Sequence, residues 1–228
     1  MQWTGRIAGA ILWVLMCVLP AVALAAAAPD FGGERVAADV RQLAQAVLAS
    51  GDHGSRPFAI VDKQEARLYV FNARGRLRGA SAVLIGQAPG DDSAADVGDR
   101  AQTGYVPLPE RTTPAGRFMS EPGRNSEGEP VVWVDYNAAF AIHRLRPGAS
   151  RALREARLAS SSPADRRVSW GCVVVPVKFY VDVVERLLGR SPGVVYVMPE
   201  QGASVALPAN QRAADPSRLR LTATAAMR

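Results

Sequence analysis

Apolar residues recur along this chain with two different periods. Between Glu34 and Ala49, Val36, Val40, Leu43 and Val47 fall at i, i+4, i+7 and i+11, one stripe of an amphipathic helix that should pack on the outside of a domain. From Pro57 the period shortens. Phe58 to Val61, Arg67 to Phe71 and Leu77 to Ile85 are rich in β-branched and aromatic residues. The polar runs Asp62-Lys63-Gln64-Glu65 and Asn72-Ala73-Arg74-Gly75 separate them, which predicts a β-meander. Gly86 to about Leu108 then exceeds the usual length of a structureless connection, and so reads as a functional or mobile loop.

Thr112 to Phe118 predicts a turn that leads into another strand, and Glu121 to Pro130 a polar connection at a hairpin tip. Val131 to Tyr136 and Ala139 to His143 read as strands. Pro147 to Leu158 is a candidate Arg-rich helix, and Ala159 to Arg167 a Ser/Pro-rich loop. After the strand that carries Cys172, a helix should run from about Pro176 to Leu188. It has Val177, Val181, Val184 and Leu188 on one side and an Asp182/Arg186 pair at i, i+4 on the other. Gly193 to Met198 reads as a last strand. The residues after it lack periodicity and are rich in Ala, Pro, Gln and Arg, which predicts a disordered tail. The expected fold is mainly β with flanking helices.

With 228 residues, of which 48% are hydrophobic, the chain can bury a real core as one domain plus tails. The formal charge of +6 comes mostly from Arg, since Lys occurs only at Lys63 and Lys178. These basic residues are scattered rather than gathered in a stripe, which argues against nucleic acid and suits a solvated surface near an anionic envelope. Residues 1–25 read as a secretory signal, with Arg6 in the n-region, an apolar core from Ile7 to Leu24, and Ala23-Leu24-Ala25 as a small-x-small cleavage site. The run to Ala28 is also long enough to span a bilayer, so a retained anchor is the rival; the Ala-rich end and Pro29 favour cleavage, leaving no stable membrane span. The expected division is residues 1–25 as signal, 30–55 as N-terminal helix and linker, 56–198 as the main domain and 199–228 as tail.

Two cysteines occur, and Cys17 lies in the apolar leader. Cys172 is thus the thiol expected in the exported chain. A lone Cys cannot form an internal disulfide, and a thiolate metal site would want several, so no metal or other cofactor is expected. Two readings stand: a buried apolar filler, or a reactive nucleophile. Ser169 and Gly171 are small residues in a β-branched run, and Gly171 would let the backbone approach a substrate and aim N–H groups at it. A nucleophilic thiol needs a base. Of the two histidines, His53 sits in the Gly-flanked loop Gly51 to Ser55 and reads as a loop residue without catalytic duty. His143 ends an apolar strand, where it can emerge into a cleft. An imidazole there would lower the thiol's pKa and allow alkylation well below the range of a free thiol.

Thr113-Pro114-x-Gly116-x-Phe118, then Ile142-His143, then Ser169-x-Gly171-Cys172, in that order, resemble the L,D-transpeptidase (YkuD) catalytic domain over roughly Phe58 to Met198. The resemblance implies a sandwich-like or barrel-like sheet with Cys and His facing one cleft. It implies acyl transfer from a peptidoglycan tetrapeptide stem through a thioester, with release of D-alanine and an amine as acceptor. Carried over, Cys172 matches the nucleophile and His143 the general base, while the backbone N–H groups of Gly171 and Cys172 match the oxyanion donors. Ser169 matches a position beside the cysteine that shapes the loop and borders the substrate. Peptidoglycan stem peptides are the implied partners.

Three features depart from the family pattern. Trp170 stands where many members have His. Val174 stands where members often carry Arg or Asn, so recognition of the substrate carboxylate would fall to Arg144, Arg146 or Arg167. The long His143–Cys172 separation implies an inserted flap at Pro147 to Arg166. A hydrolytic L,D-carboxypeptidase and a non-catalytic peptidoglycan-binding module are the alternatives.

Overall fold

The computed structural model describes residues 28–201; the proposed signal, Cys17 and all of the tail after residue 201 lie outside the described residues. Ten strands form: β1 Phe58–Asp62, β2 Arg67–Phe71, β3 Leu77–Ala82, β4 Ile85–Gly86, β5 Gly116–Arg124, β6 Pro130–Asp135, β7 Phe140–Arg144, β8 Arg167–Ser169, β9 Val173–Val175 and β10 Gly193–Val197. Eight of them join in one sheet, in the order β3-β2-β1-β10-β5-β6-β7-β9, and β4 pairs with β8. The fold is mainly β, as the pattern of short β-branched runs predicts.

β5 is the joint of this sheet. Its first half, Gly116 to Ser120, pairs with β10, and its second half, Glu121 to Arg124, pairs with β6. Glu121 to Arg124 are therefore strand and not the hairpin connection the polar run predicts. Pro122 is accommodated because that half of the strand is bonded on one side only. The main core contains Ala59, Val61 and Val195 from one arm of the sheet and Val132, Ile142 and Val173 from the other. The two arms thus share one apolar interior, in the manner of a sandwich.

Helix α1, Ala38–Ser50, buries Val40, Leu43, Ala44 and Val47 on the opposite face of the first arm, against Phe58, Tyr69, Phe71 and Tyr196. It starts four residues later than the stripe predicts; Glu34 is paired with Arg67 at 2.7 Å and Ala37 is extended. Val36 still packs against the same cluster. The run Leu77 to Ile85 breaks after Ala82, and Ile85 turns away to pair with Arg167. The helix after Pro176 consists of α4, Val177–Phe179, a π turn at Tyr180–Val184, and α5, Glu185–Leu187. Its buried stripe is Tyr180, Val184 and Leu188, with Val181 40% exposed. The apolar stripe is thus shifted from the predicted one, because the bulky Tyr180 ring faces the core and the π turn changes the angular spacing.

The long connection is ordered. It carries helix α2, Val97–Gln102, and a 3₁₀ turn at Leu108–Glu110. A Cβ on Gly98 would come within 2.0 Å of the Asn137 carbonyl, so α2 seats directly on the turn between β6 and β7. Arg151–Ala159 forms the predicted Arg-rich helix, α3, and Pro163–Arg166 a 3₁₀ turn. Among the described residues no helix is long and apolar enough to cross a membrane.

Candidate active site

β7 and β9 run side by side in parallel, with Ile142 opposite Val173, His143 opposite Val174 and Arg144 opposite Val175. Side chains alternate along a strand, and laterally paired residues share a face. Ile142, Val173 and Val175 point into the main core. His143 and Val174 therefore point to the other side. Cys172 immediately precedes β9 and lies beside Ala139, the residue just ahead of β7. No hydrogen bond joins the His143 and Cys172 side chains.

The His143 ring is oriented by its own backbone. Nδ1–H donates to the Arg144 carbonyl at 2.9 Å, which leaves Nε2 with its lone pair, as a proton acceptor requires. Burial pushes the imidazole down to about 4, the Arg144 carbonyl opposes the shift, and the charges of Arg146 and Arg154 add to it. Burial also pushes the Cys172 thiol up; the Ala141 N–H and Arg146 act in the opposite sense. The residue keeps partial exposure while its sulfur is enclosed, with the thiol donating to the Ala139 carbonyl at 3.4 Å. The two shifts run apart, so the resting pair is a neutral imidazole and a neutral thiol. This replaces the preformed thiolate expected from the sequence. Ala139 holds φ at 49°, a left-handed conformation unusual for a residue with a Cβ.

The loop from Ser169 to Cys172 is internally tied. Ser169 is buried; its Oγ–H donates to the Cys172 carbonyl at 2.6 Å and its Oγ accepts from the Gly171 N–H at 3.1 Å. Ser169 thus shapes the loop as the resemblance implies, but its hydroxyl is not offered to a ligand. The Gly171 N–H is engaged as well, which leaves the Cys172 N–H as the remaining candidate oxyanion donor. Trp170 is 41% exposed and stacks with the Arg111 guanidinium, 4.9 Å from the ring centroid.

The basic residues nominated for a substrate carboxylate are occupied. Arg167 makes two bonds to Glu200, at 3.0 and 2.6 Å. Arg144 pairs with Glu129 at 3.0 Å and holds that carboxyl below the usual range. Arg146 lies 3.3 Å from the same Glu129 and 3.8 Å from Glu127. Val174 is buried against Leu84 and Leu145, so a charged side chain there would have to displace an apolar cluster. His53 is also buried, with Nε2 at 3.1 Å from the Ala73 carbonyl and its ring 5.4 Å from that of Phe58, far from the cysteine motif and part of the α1 core.

Two openings flank the site. A cavity of about 10 Å³, with room for roughly one water, is lined by Thr112, Pro114, Ala139, Trp170 and Gly171 among others. A groove of about 330 Å³ runs beneath α3 and is lined by Leu145, Arg151, Glu155, Leu158, Pro176 and Val177. It adjoins the small apolar cluster of Val174, on the face that carries His143. Among the described residues no group of three or more His, Cys, Asp or Glu is arranged to hold a metal.

Lys63 is a residue whose part in this region is not visible in the sequence. Its ammonium is fully buried and donates to the Gly90 carbonyl at 2.7 Å, Asp91 at 2.5 Å and the Thr113 carbonyl at 3.0 Å. Its rarity as one of two lysines was the one available signal.

Comparison with solved structures finds similarity to the catalytic domain of the E. faecium L,D-transpeptidase, solved by NMR, at 16% identity and a TM-score of 0.33, covering 63% of this chain and 98% of that one. The chain is also similar to the Ldtfm–avibactam carbamoyl enzyme at 16% identity and a TM-score of 0.32, covering 64% of this chain and 49% of that one. No protein-family model matches the chain, and no curated protein matches it.

Proposed function

We propose that this chain is an exported L,D-transpeptidase of the periplasm or cell envelope, acting on peptidoglycan stem peptides. What supports this reading is that Cys172 directly precedes β9, the strand that runs parallel to the His143 strand β7, and that the His143 Nε2 lone pair is free of its own backbone. In the proposed reaction Nε2 takes the thiol proton as sulfur attacks the carbonyl carbon before the terminal D-alanine. The C–N bond breaks, the leaving amine receives that proton, and a thioester remains on Cys172. An acceptor amine then attacks the thioester, loses a proton to His143, and the thiol is restored. The Cys172 N–H would face the developing oxyanion; such a donor typically contributes about 3 kcal/mol. A neutral resting pair suits proton transfer during attack, since no charge is stored in a buried site beforehand.

The occupied Gly171 N–H and the paired Arg144 and Arg167 favour a second reading, a non-catalytic wall-binding module of the same fold. Purified protein incubated with tetrapeptide muropeptides separates the readings by mass. Transpeptidation gives cross-linked dimers and free D-alanine, and Cys172→Ala abolishes both. Tripeptide with no dimer would mark a carboxypeptidase. Binding without mass change, identical in Cys172→Ala, would refute the enzyme and leave the module.

A further inference from the structure

The segment Thr112 to Pro114, which meets the cysteine loop at Gly171, is tied to it by a side-chain hydroxyl. Thr113 is buried, and its hydroxyl accepts from the Gly86 N–H at 2.8 Å and donates to the Gly171 carbonyl at 2.8 Å. Its own carbonyl is held by the Lys63 ammonium at 3.0 Å. A single side chain thus bridges β4, its own segment and the residue immediately before Cys172.

Behind it the charges form a closed group. The Lys63 ammonium meets Asp91 at 2.5 Å and lies 3.5 Å from Glu200. Glu200 takes both Arg167 nitrogens, and Arg167 also donates to the Lys63 carbonyl at 3.2 Å. Arg167 opens the short strand that runs to Ser169. The cysteine loop is therefore gripped on both sides by one network, through Arg167 on the chain side and through Thr113 across the fold. A buried ammonium demands all of its partners, because an unpaired one costs far more than a neutral group. The network consequently has one arrangement rather than several.

We propose that Thr113, backed by the Lys63 ammonium, is a positioning residue for Cys172: it holds the Gly171 carbonyl and so sets where the thiol lies. In terms of reaction this rests on the acyl-transfer reading, but its physical content is the placement and enclosure of the sulfur.

The test is the rate of Cys172 alkylation by iodoacetamide at one fixed pH, read by peptide mass, for the full chain with Thr113→Val and Thr113→Ser. Valine keeps the shape and leaves two buried groups, the Gly86 N–H and the Gly171 carbonyl, without their partner. Alkylation of Thr113→Val should rise about tenfold, the equivalent of 1.4 kcal/mol, while Thr113→Ser stays at the wild-type rate. Lys63→Met should raise the rate too, and the double variant should fall short of the product of the two effects, since the groups share one network. A wild-type rate in Thr113→Val, or failure of Ser to restore it, would overturn the proposal. A strictly multiplicative double variant would overturn the part given to Lys63. Alkylation needs no turnover, so loss of the transpeptidase reading would leave this measurement standing, and the reverse also holds.

Discussion

A Cβ on Gly171 would lie 2.6 Å from the carbonyl oxygen of Thr112, and the backbone there holds φ at 130°. Both constraints oppose a larger residue where the cysteine loop meets Thr112. Gly171→Ala should cost about 1–3 kcal/mol through backbone strain alone, lowering the melting temperature by roughly 2–4 °C per kcal/mol. It should also displace Cys172, so that acyl transfer falls further than stability does. Thermal unfolding and muropeptide turnover on the same preparation check both, and an unchanged melting temperature would show that the loop has room to give.

Ser169 links the two residues that follow Trp170. Removing its hydroxyl leaves the Gly171 N–H and the Cys172 carbonyl without the partner they have now. Ser169→Ala should therefore destabilise the fold by about 1–3 kcal/mol, measured as a lower urea midpoint at unchanged slope. If the midpoint does not move, water has replaced the hydroxyl and the loop is not held from within. Because this substitution also frees the Gly171 N–H, it shows whether that donor is of use in turnover.

The neutral pair predicts a specific pH response. The folded His143 sits near 4, below its ordinary 6.5, so the unfolded chain binds this proton first. Stability from this site is complete above pH 6.5 and is lost as pH falls toward 4. The loss should be on the order of 2 kcal/mol, allowing for partial exposure of the residue. His143→Gln should flatten that limb of the stability curve, and an identical acid limb in wild type and variant would refute the assignment. The Cys172 shift has the opposite sign, so its contribution is lost as pH rises past the ordinary thiol range.

Arg154 lies on α3 and depresses His143 through charge. Arg154→Gln should raise the imidazole's pKa toward its ordinary value, followed by NMR titration of the ring protons. Since burial is the larger cause, the move should be partial. No shift would remove α3 from the electrostatics of the site and leave it as a cover of the apolar groove alone.

Period and residue type along the chain were enough to determine the mainly β class, the meander of β1 to β3, the amphipathic α1, the Arg-rich α3 and the nomination of Cys172 with His143. These follow from local rules: alternation, helical spacing, and the scarcity of Cys and His. The break of the meander strand at Val83, the extension of β5 through Pro122 and the π turn at Tyr180 were decided by tertiary pairing, because each depends on which neighbour is present across the sheet or core. The charged residues show the same limit most sharply. Arg144 and Arg167 looked available for a substrate carboxylate because charge is local, whereas their partners Glu129 and Glu200 stand 15 and 33 positions away. Lys63 and Thr113 are 50 positions apart, and only the folded chain brings them together behind Gly171. A sequence displays which groups can ionise or donate; long-range contacts decide which of them are already satisfied, and burial decides in which protonation state they wait.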